Sequence, residues 1–159
     1  MMTTLLSPAA ARWLDEHHHV ATTADLRRLG IDRAAINRLI NVGMIERHAR
    51  GVFTVTTGSP SLEHRCRVLC CLYPHGFVTG PTAAMLGGLR RQPYAAGLHY
   101  SLAHGMHPTA SPGVVFRQTT KLASRDHYER PDGIVVASWQ RLAFDLAADL
   151  SAIDHRSVI

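Results

Sequence analysis

The hydrophobic and polar positions in the first third of the chain follow helical spacing in three short segments. The predicted helices cover Pro8 to about His17, Ala24 to Leu29, and Arg33 to Val42. Each is preceded by a residue that favours an N-cap, namely Ser7, Thr23 and Asp32. Gly30 and Gly43 follow the second and third helices, where glycine favours a C-terminal stop. Three short helices with a tight turn between the last two are typical of a helix-turn-helix.

Two β-prone runs follow the third helix directly. Met44 to Ala49 and Val52 to Thr56 are separated only by Arg50 and Gly51. A two-residue link that contains glycine predicts a tight hairpin between two strands. A hairpin in this position is the wing of a winged helix-turn-helix, so residues 1–58 are predicted to form such a domain.

The remainder of the chain has a different pattern of predicted helices and strands. Residues 58–61, Gly-Ser-Pro-Ser, break every periodicity and predict a linker. Helices are then expected at 62–72, 81–86 and 139–150, and short strands at 77–79, 98–102, 114–117 and 134–137. The predicted fold class is therefore α+β, with a small mixed α/β domain over residues 59–159 that serves dimerisation, cooperative DNA binding or partner contact. Asp154 resembles the cap of a further helix five residues before the chain stops, which indicates a fragment of a longer protein.

Composition narrows the class of protein. The 159 residues are 46% hydrophobic and 18% charged, which is typical of a globular chain. No apolar run approaches the roughly 18 residues that a membrane span needs, and no signal peptide is recognisable. Three cysteines, an odd number, argue against a disulfide framework, so a reduced cytoplasmic protein is expected. The net charge of +5 at pH 7 is compatible with an anionic partner such as nucleic acid.

The third predicted helix, residues 32–43, has two chemically distinct sides. At 100° per residue, Ala35, Ile36, Leu39 and Ile40 fall on one side. The opposite side holds Arg33, Ala34, Asn37, Arg38 and Asn41, and it contains no acid. Arginine pairs with the guanine edge, asparagine pairs with the adenine edge, and alanine permits close approach. These residues are therefore predicted to contact bases in the major groove.

Residues of the second helix and the hairpin extend this predicted interface. In helix-turn-helix proteins the helix before the recognition helix crosses the phosphate backbone. Arg27 and Arg28 are placed there, and Thr23 marks a helix start whose free backbone N–H groups suit a phosphate. Arg47, His48 and Arg50 lie on and near the predicted wing tip, within reach of the backbone or the minor groove.

Other clusters in the sequence favour structural roles. Three consecutive histidines, 17–19, point in different directions on a helix and cannot hold one ion. Cys66 and Cys70 lack the spacing of a structural zinc site and are predicted to be buried thiols. Asp132 and Asp145 are the candidates for nuclease chemistry, but strand 134–137 lacks the acid-x-Lys pair of such nucleases. Asp145 can pair with Arg141, and the carboxylates lack the grouping that a two-metal site needs. We expect no catalytic residue, metal or cofactor.

The chain resembles AbiEi-type antitoxins of bacterial type IV toxin–antitoxin systems. The resemblance covers most of the chain and is strongest from Asp25 to Phe53. The residues that carry it in this part are Leu26 to Ile31, Arg33, Ile36, Arg38, Leu39, Gly43, Ile45, Arg47 and Gly51 to Phe53. In the second part they are Val78, Thr79, Pro81 to Leu89, Arg141 and Asp145 to Ala147.

The resemblance implies a repressor that binds inverted repeats in its own promoter, which allows a homo-oligomer on DNA. It also implies a neighbouring nucleotidyltransferase-type toxin that the protein counteracts, with a contribution from the second part. By position, Arg33, Asn37, Arg38 and Asn41 would face the major groove, and Arg47 and Arg50 would lie on the wing. The alternative is a winged-helix transcriptional regulator without a toxin partner.

Overall fold

A computed structural model describes residues 6–55, 60–89 and 97–156 of the chain, with side chains described as far as residue 148. The chain divides into two compact units, Met1–Leu72 and Tyr73–Ile159. Both units combine helices with a small sheet, which confirms the predicted α+β class. None of the helices in the described ranges is both long and apolar enough to span a bilayer.

The first unit has the element order of a winged helix-turn-helix followed by one further helix. Its elements are α1 (Pro8–Glu16), β1 (Val20–Thr22), α2 (Thr23–Arg28), α3 (Arg33–Asn41), β2 (Ile45–Ala49), β3 (Val52–Val55) and α4 (Leu62–Leu72). The three strands form an antiparallel sheet in the order β1-β3-β2. The three predicted helices and the hairpin are therefore confirmed, with bounds that differ by at most one residue.

Local capping chemistry explains where these helices start. The side chains of Ser7 and Asp32 accept the N–H three residues further on, at 3.1 and 2.7 Å. The prediction for α2 was wrong by one residue, because its N-cap is Thr22 and Thr23 is its first helical residue. Thr22 and Asp25 form a reciprocal capping box, in which each side chain binds the other residue's backbone N–H.

The core of the first unit lies between its helices and one face of the sheet. Leu14, Leu26, Leu39 and Phe53 are each at most 5% exposed and pack together. Strand β1 was not predicted, since three residues are too few to show the alternation of a strand. It forms because Thr22 pairs with Val52 across the sheet.

Helix α4 packs on the first unit. Val68 joins Val20 and Val52 in a small apolar cluster. The His64 ring N–H donates to the backbone carbonyl of His18, with the two atoms 2.8 Å apart. These contacts extend the N-terminal unit to Leu72, past the boundary predicted at 58. Residues 58 and 59 of the predicted linker lie outside the described part of the chain.

The second unit is a five-stranded mixed sheet with helices. Its elements are β4 (Phe77–Val78), α5 (Gly80–Leu86), β5 (Leu98–Ala103), β6 (Val114–Thr119), a 3-10 turn (Ser124–Asp126), β7 (His127–Glu129), β8 (Val135–Ala137) and α6 (Trp139–Arg156). The strand order is β6-β5-β4-β8-β7, with β4–β8 and β5–β6 parallel. The four predicted strands and the helices predicted at 81–86 and 139–150 are present, whereas β7 was not predicted.

The core of the second unit is aromatic and aliphatic. Phe77, Tyr100, Leu102 and Ile134 are fully buried, and the Tyr100 hydroxyl donates to the backbone carbonyl of Tyr73 at 2.9 Å. The expectation of a separate helix starting at Asp154 was wrong, because α6 continues without a break to Arg156. Helical hydrogen bonding along α6 thus overrides the local capping preference of one aspartate.

Candidate DNA interface

The outward face of α3 carries the residues that were predicted to meet bases. Ile36 and Leu39 are 4% and 1% exposed and fix the helix in the core. The exposed residues on the other side are Arg33, Ala34, Asn37, Arg38 and Asn41. This face therefore offers guanidinium and amide groups without a carboxylate. Its two-sided pattern agrees with the helical geometry, while contact with DNA stays a prediction.

The backbone at the start of α2 is already hydrogen bonded. The Thr23 N–H donates to the carbonyl of Gly51 in the wing turn at 3.0 Å. The Asp25 N–H donates to the Thr22 hydroxyl at 3.2 Å. The N–H groups of Thr23 and Asp25 are therefore engaged within the unit, and contact of this helix start with a phosphate stays a prediction. What Thr23 retains for DNA is its half-buried side chain, which lies beside the wing.

The two arginines of α2 differ in their surroundings. Both are exposed, as a contact with the DNA backbone requires. Arg28 forms an ion pair with Asp25, although its side chain remains 76% exposed. Arg27 lines a groove next to the wing. Arg27 is thus the better placed of the two to meet a phosphate with its full charge.

Asp25 is a buried carboxylate of α2 that interacts with Thr22, Arg28 and Arg67, and sequence analysis assigned it no role. Its side chain is 6% exposed and accepts the Thr22 N–H at 2.9 Å and the Thr22 hydroxyl at 2.7 Å. Arg28 pairs with it, and Arg67 of α4 lies 3.6 Å away. Burial raises the pKa of Asp25. The hydrogen bonds from Thr22 and Arg28 and the charge of Arg67 lower it by more, so that the pKa lies below its ordinary value.

The wing holds Arg47 in a defined position. Arg47 pairs with Phe53 across β2 and β3, and its guanidinium carbon lies 5.4 Å from the centre of the Phe53 ring. This distance is within the range of a cation–π contact. His48 occupies an irregularity in the strand register, and Arg50 lies in the turn. Both side chains are exposed, as predicted for a wing.

A groove of about 440 Å³ lies between α2, α3 and the wing. The side chains that line it come from α2, α3 and the wing, and they are Thr23, Arg27, Arg33, Ile36, Asn37, Arg47, Arg50, Gly51 and Phe53. Among these described residues four are arginines and none is acidic. Six of the ten predicted interface residues therefore line this groove, and Arg38 and Asn41 lie on the exposed face of α3 outside its lining. The groove is a positively charged concavity on the first unit.

The histidines and cysteines set aside in the sequence have structural surroundings. The His17 ring stacks on Trp13 with 3.8 Å between ring centres, and His19 lies 3.4 Å from Asp15. Cys66 and Cys70 are buried, as predicted, and burial raises the pKa of the Cys71 thiol to about 11. In the ranges that the structure describes, no three His, Cys, Asp or Glu side chains come together as a metal site.

The carboxylates considered for nuclease chemistry are paired within the second unit. Asp145 accepts the Thr79 hydroxyl at 2.5 Å and the Arg141 Nε–H at 2.9 Å. Asp132 lies 2.9 Å from the guanidinium of Arg130 and accepts the Ile134 N–H at 3.2 Å. The predicted pairing of Asp145 with Arg141 is thereby confirmed, and both carboxylates have partners that a metal ligand would have to give up.

Two features of the site escaped sequence analysis, although one left a signal. Thr22 and Asp25 stand three residues apart just before an apolar run, which is the spacing of a capping box. That pattern could have moved the predicted cap from Thr23 to Thr22. The stacking of Arg47 on Phe53 left no such signal, because it depends on the register between two strands.

Comparison with protein families finds one match within the first unit. Residues 9–56 match a family described as a transcriptional regulator, AbiEi antitoxin. This match spans α1 to β3 and confirms the resemblance for that segment. The N-terminal winged helix-turn-helix is thus of the type found in antitoxin transcriptional regulators. No curated protein matches the chain.

A solved structure extends the likeness of fold to both units. The RV2827C protein from Mycobacterium tuberculosis matches with a TM-score of 0.51 over 89% of this chain, at 18% identity. The chain spans 59% of the length of that protein. At this level of identity the likeness concerns the fold alone.

Proposed function

Because residues 9–56 match antitoxin transcriptional regulators, we propose that the chain is a DNA-binding antitoxin that represses its own operon. The observation that supports this best is the exposed face of α3, where Arg33, Asn37, Arg38 and Asn41 stand beside a groove with four arginines. Bases in the major groove and phosphates next to it present the groups that these side chains bind.

The proposed complex places α3 in the major groove and α2 along the backbone. Inverted repeats would bind two copies, each with its α3 in a major groove on the same side of the duplex. Such DNA lies in the cytoplasm of a bacterium, and we place the protein there. The function needs no catalysis by this chain, and Asp132 and Asp145 are engaged in ion pairs.

We predict that Arg38→Ala and Asn37→Ala weaken operator binding by about 1–3 kcal/mol and relax base preference, since each removes a contact to a base edge. The measurement is fluorescence anisotropy with a duplex from the DNA upstream of the gene and a scrambled duplex, at two salt concentrations. The loss should be larger on the upstream duplex than on the scrambled one.

Two control variants separate base contacts from phosphate contacts. Arg27→Ala should weaken binding to both duplexes alike and reduce the log–log salt slope by about 0.9, as for one lost phosphate contact. Arg12→Ala removes an exposed arginine of α1 outside the groove and should leave both affinities unchanged. Equal losses on the two duplexes for Asn37, Arg38 and Arg27 variants would contradict base recognition by α3.

The antitoxin activity is tested by growth. We expect that co-expression of the chain with a nucleotidyltransferase-type toxin encoded next to it restores growth that the toxin alone arrests. The Arg38→Ala variant should protect equally well, because neutralisation involves the second part of the chain and not the surface of α3. Failure of the wild-type chain to protect, with operator binding intact, would contradict the antitoxin proposal and leave a repressor.

A regulator without a toxin partner is the second candidate. The observation that favours it is the extent of the family match, which ends at residue 56 and leaves the second unit outside. This candidate predicts operator binding without protection from any neighbouring gene product. The growth experiment therefore distinguishes the two functions directly.

A further inference from the structure

The wing of this protein is held by strand pairing with β1 and by a hydrogen bond to the start of α2. Strand β3 lies between β1 and β2, and Thr22 at the end of β1 pairs with Val52 at the start of β3. The Thr23 N–H then donates to the carbonyl of Gly51 at 3.0 Å. The turn thus extends past the neighbouring strand by only two residues, which corresponds to less than about 7 Å at 3.3 Å per residue.

The charges of the wing point into the same groove as those of α2. Arg47 and Arg50 line it together with Arg27 and Arg33. The contact with the buried Phe53 ring holds the Arg47 guanidinium there. The adjacent acid, Glu46, accepts the Thr54 hydroxyl at 3.3 Å and does not line the groove. The groove therefore keeps its positive charge.

From this geometry we propose that the side chains of α2 and the wing in this groove clamp the phosphates of one DNA strand, beside the α3 residues that meet the bases. In the clamp Arg27 and the wing arginines bind neighbouring phosphates, and the wing makes no base contacts in the minor groove. The inference rests on the proposed function, since it assigns a role to the wing within the same DNA complex. It specifies which chemical groups of the duplex the wing recognises.

Phosphate is the ligand that fits the lining. Guanidinium groups bind phosphate oxygens with two parallel hydrogen bonds, and the Thr23 side chain adds a further polar group at the same wall. A minor-groove reader needs an arm or tip that enters a cleft about 6 Å wide and 7.5 Å deep. Here the Gly51 carbonyl at the tip is hydrogen bonded to the first residue of α2. The backbone of the tip therefore cannot enter such a cleft unless α2 enters with it.

The first experiment removes minor-groove groups from the DNA. In the upstream duplex, 3-deazaadenine replaces adenine, which deletes the N3 acceptor that an arginine would bind in the minor groove and leaves the major-groove edge unchanged. We expect the affinity of the full chain to change by less than about twofold. A loss of fivefold or more that disappears in the Arg50→Ala variant would overturn the proposal.

The second experiment removes single phosphate charges. Duplexes with one neutral methylphosphonate linkage at successive positions are compared on the full chain and on Arg47→Met, which keeps the aliphatic stem over Phe53. We expect Arg47→Met to lose about tenfold in affinity on the unmodified duplex. It should lose almost nothing on the duplex whose neutral linkage faces Arg47, because the partner charge is already absent.

Further variants locate the clamp and control for folding. For Arg27→Ala there should likewise be one neutral linkage at which the variant loses almost no affinity. This linkage should lie on the same strand as the one found for Arg47→Met and within a few nucleotides of it. Arg47→Lys should recover most of the affinity, because it restores the charge. Wild-type affinity of Arg47→Met, or coupling of the two arginines to different strands, would overturn the clamp. Absence of binding to every duplex, even in dilute buffer, would instead refute the proposed function itself.

Discussion

Replacement of Asp25 by alanine is expected to lower the free energy of unfolding of the N-terminal unit by about 3–5 kcal/mol. The carboxylate is nearly inaccessible and accepts two hydrogen bonds from Thr22. Its removal takes the acceptor from the Thr22 N–H and one carboxylate from the Arg67 guanidinium, which lies 3.6 Å away and is only 11% exposed. The capping box of α2 is then lost, and the largely buried charge of Arg67 has less compensation.

The measurement is urea unfolding of the full chain followed by tryptophan fluorescence. The chain has two tryptophans, Trp13 in the first unit and Trp139 in the second, so a Trp139→Phe background reports the first unit alone. Asp15→Ala is the matched control, since it removes the same charge from a side chain that is 71% exposed. It should change stability by less than about 1 kcal/mol.

The pH dependence of this effect follows from the lowered pKa of Asp25. A carboxyl group with a folded-state pKa below its unfolded value stabilises the fold above the unfolded pKa and loses that contribution as pH falls through the folded one. The difference between wild type and Asp25→Ala should therefore be constant from pH 5 to 8 and shrink below about pH 4. A difference that grows on acidification would contradict the role assigned to Asp25.

Replacement of Asp145 by alanine is expected to destabilise the second unit by a similar amount, about 3–5 kcal/mol. Asp145 joins α6 to the residue after β4, because it accepts the hydroxyl of the fully buried Thr79 and the Nε–H of Arg141. The Arg141 side chain is 16% exposed and would keep only longer hydrogen bonds, to the Lys121 carbonyl and the Thr119 hydroxyl at 3.4 Å each. Its second carboxylate partner, Asp126 at 3.6 Å, is too distant to replace the hydrogen bond.

Unfolding in a Trp13→Phe background, which leaves Trp139 as the reporter, measures this effect. Glu129→Ala removes an exposed acid of β7 in the same unit and should change stability by about 0.5 kcal/mol or less. A decrease of less than 1 kcal/mol for Asp145→Ala would contradict a structural role for the pair. The Asp25 and Asp145 variants together test whether each unit depends on its own buried ion pair.

Sequence analysis recovered the elements whose signals are local. The cap at Asp32, the apolar row of α3 and the stop at Gly43 lie within twelve consecutive residues, and the structure confirms the helix they predict. The Arg50-Gly51 turn was predicted for the same reason, since Gly51 adopts the positive φ of 77° that a tight hairpin favours. The division of α3 into buried and exposed residues followed from its period alone.

Features that depend on distant partners were not predicted. β1 and β7 have only three residues each and exist because a partner strand pairs with them. Helix α4 was expected in the second domain, but Val68, His64 and Arg67 place it on the first unit. Nothing near Arg67 in the sequence indicates that its partner is Asp25.

The amino-acid sequence by itself determined the winged helix-turn-helix and the chemistry of the α3 surface, because caps, turns and helical period act over a few residues. Only the tertiary structure decided that one groove is lined by Arg27, Arg47 and Arg50, and that the wing turn is hydrogen bonded to α2. These arrangements arise from strand pairing and from burial of charges against partners far along the chain. Their energies depend on distances that exist only in the folded protein.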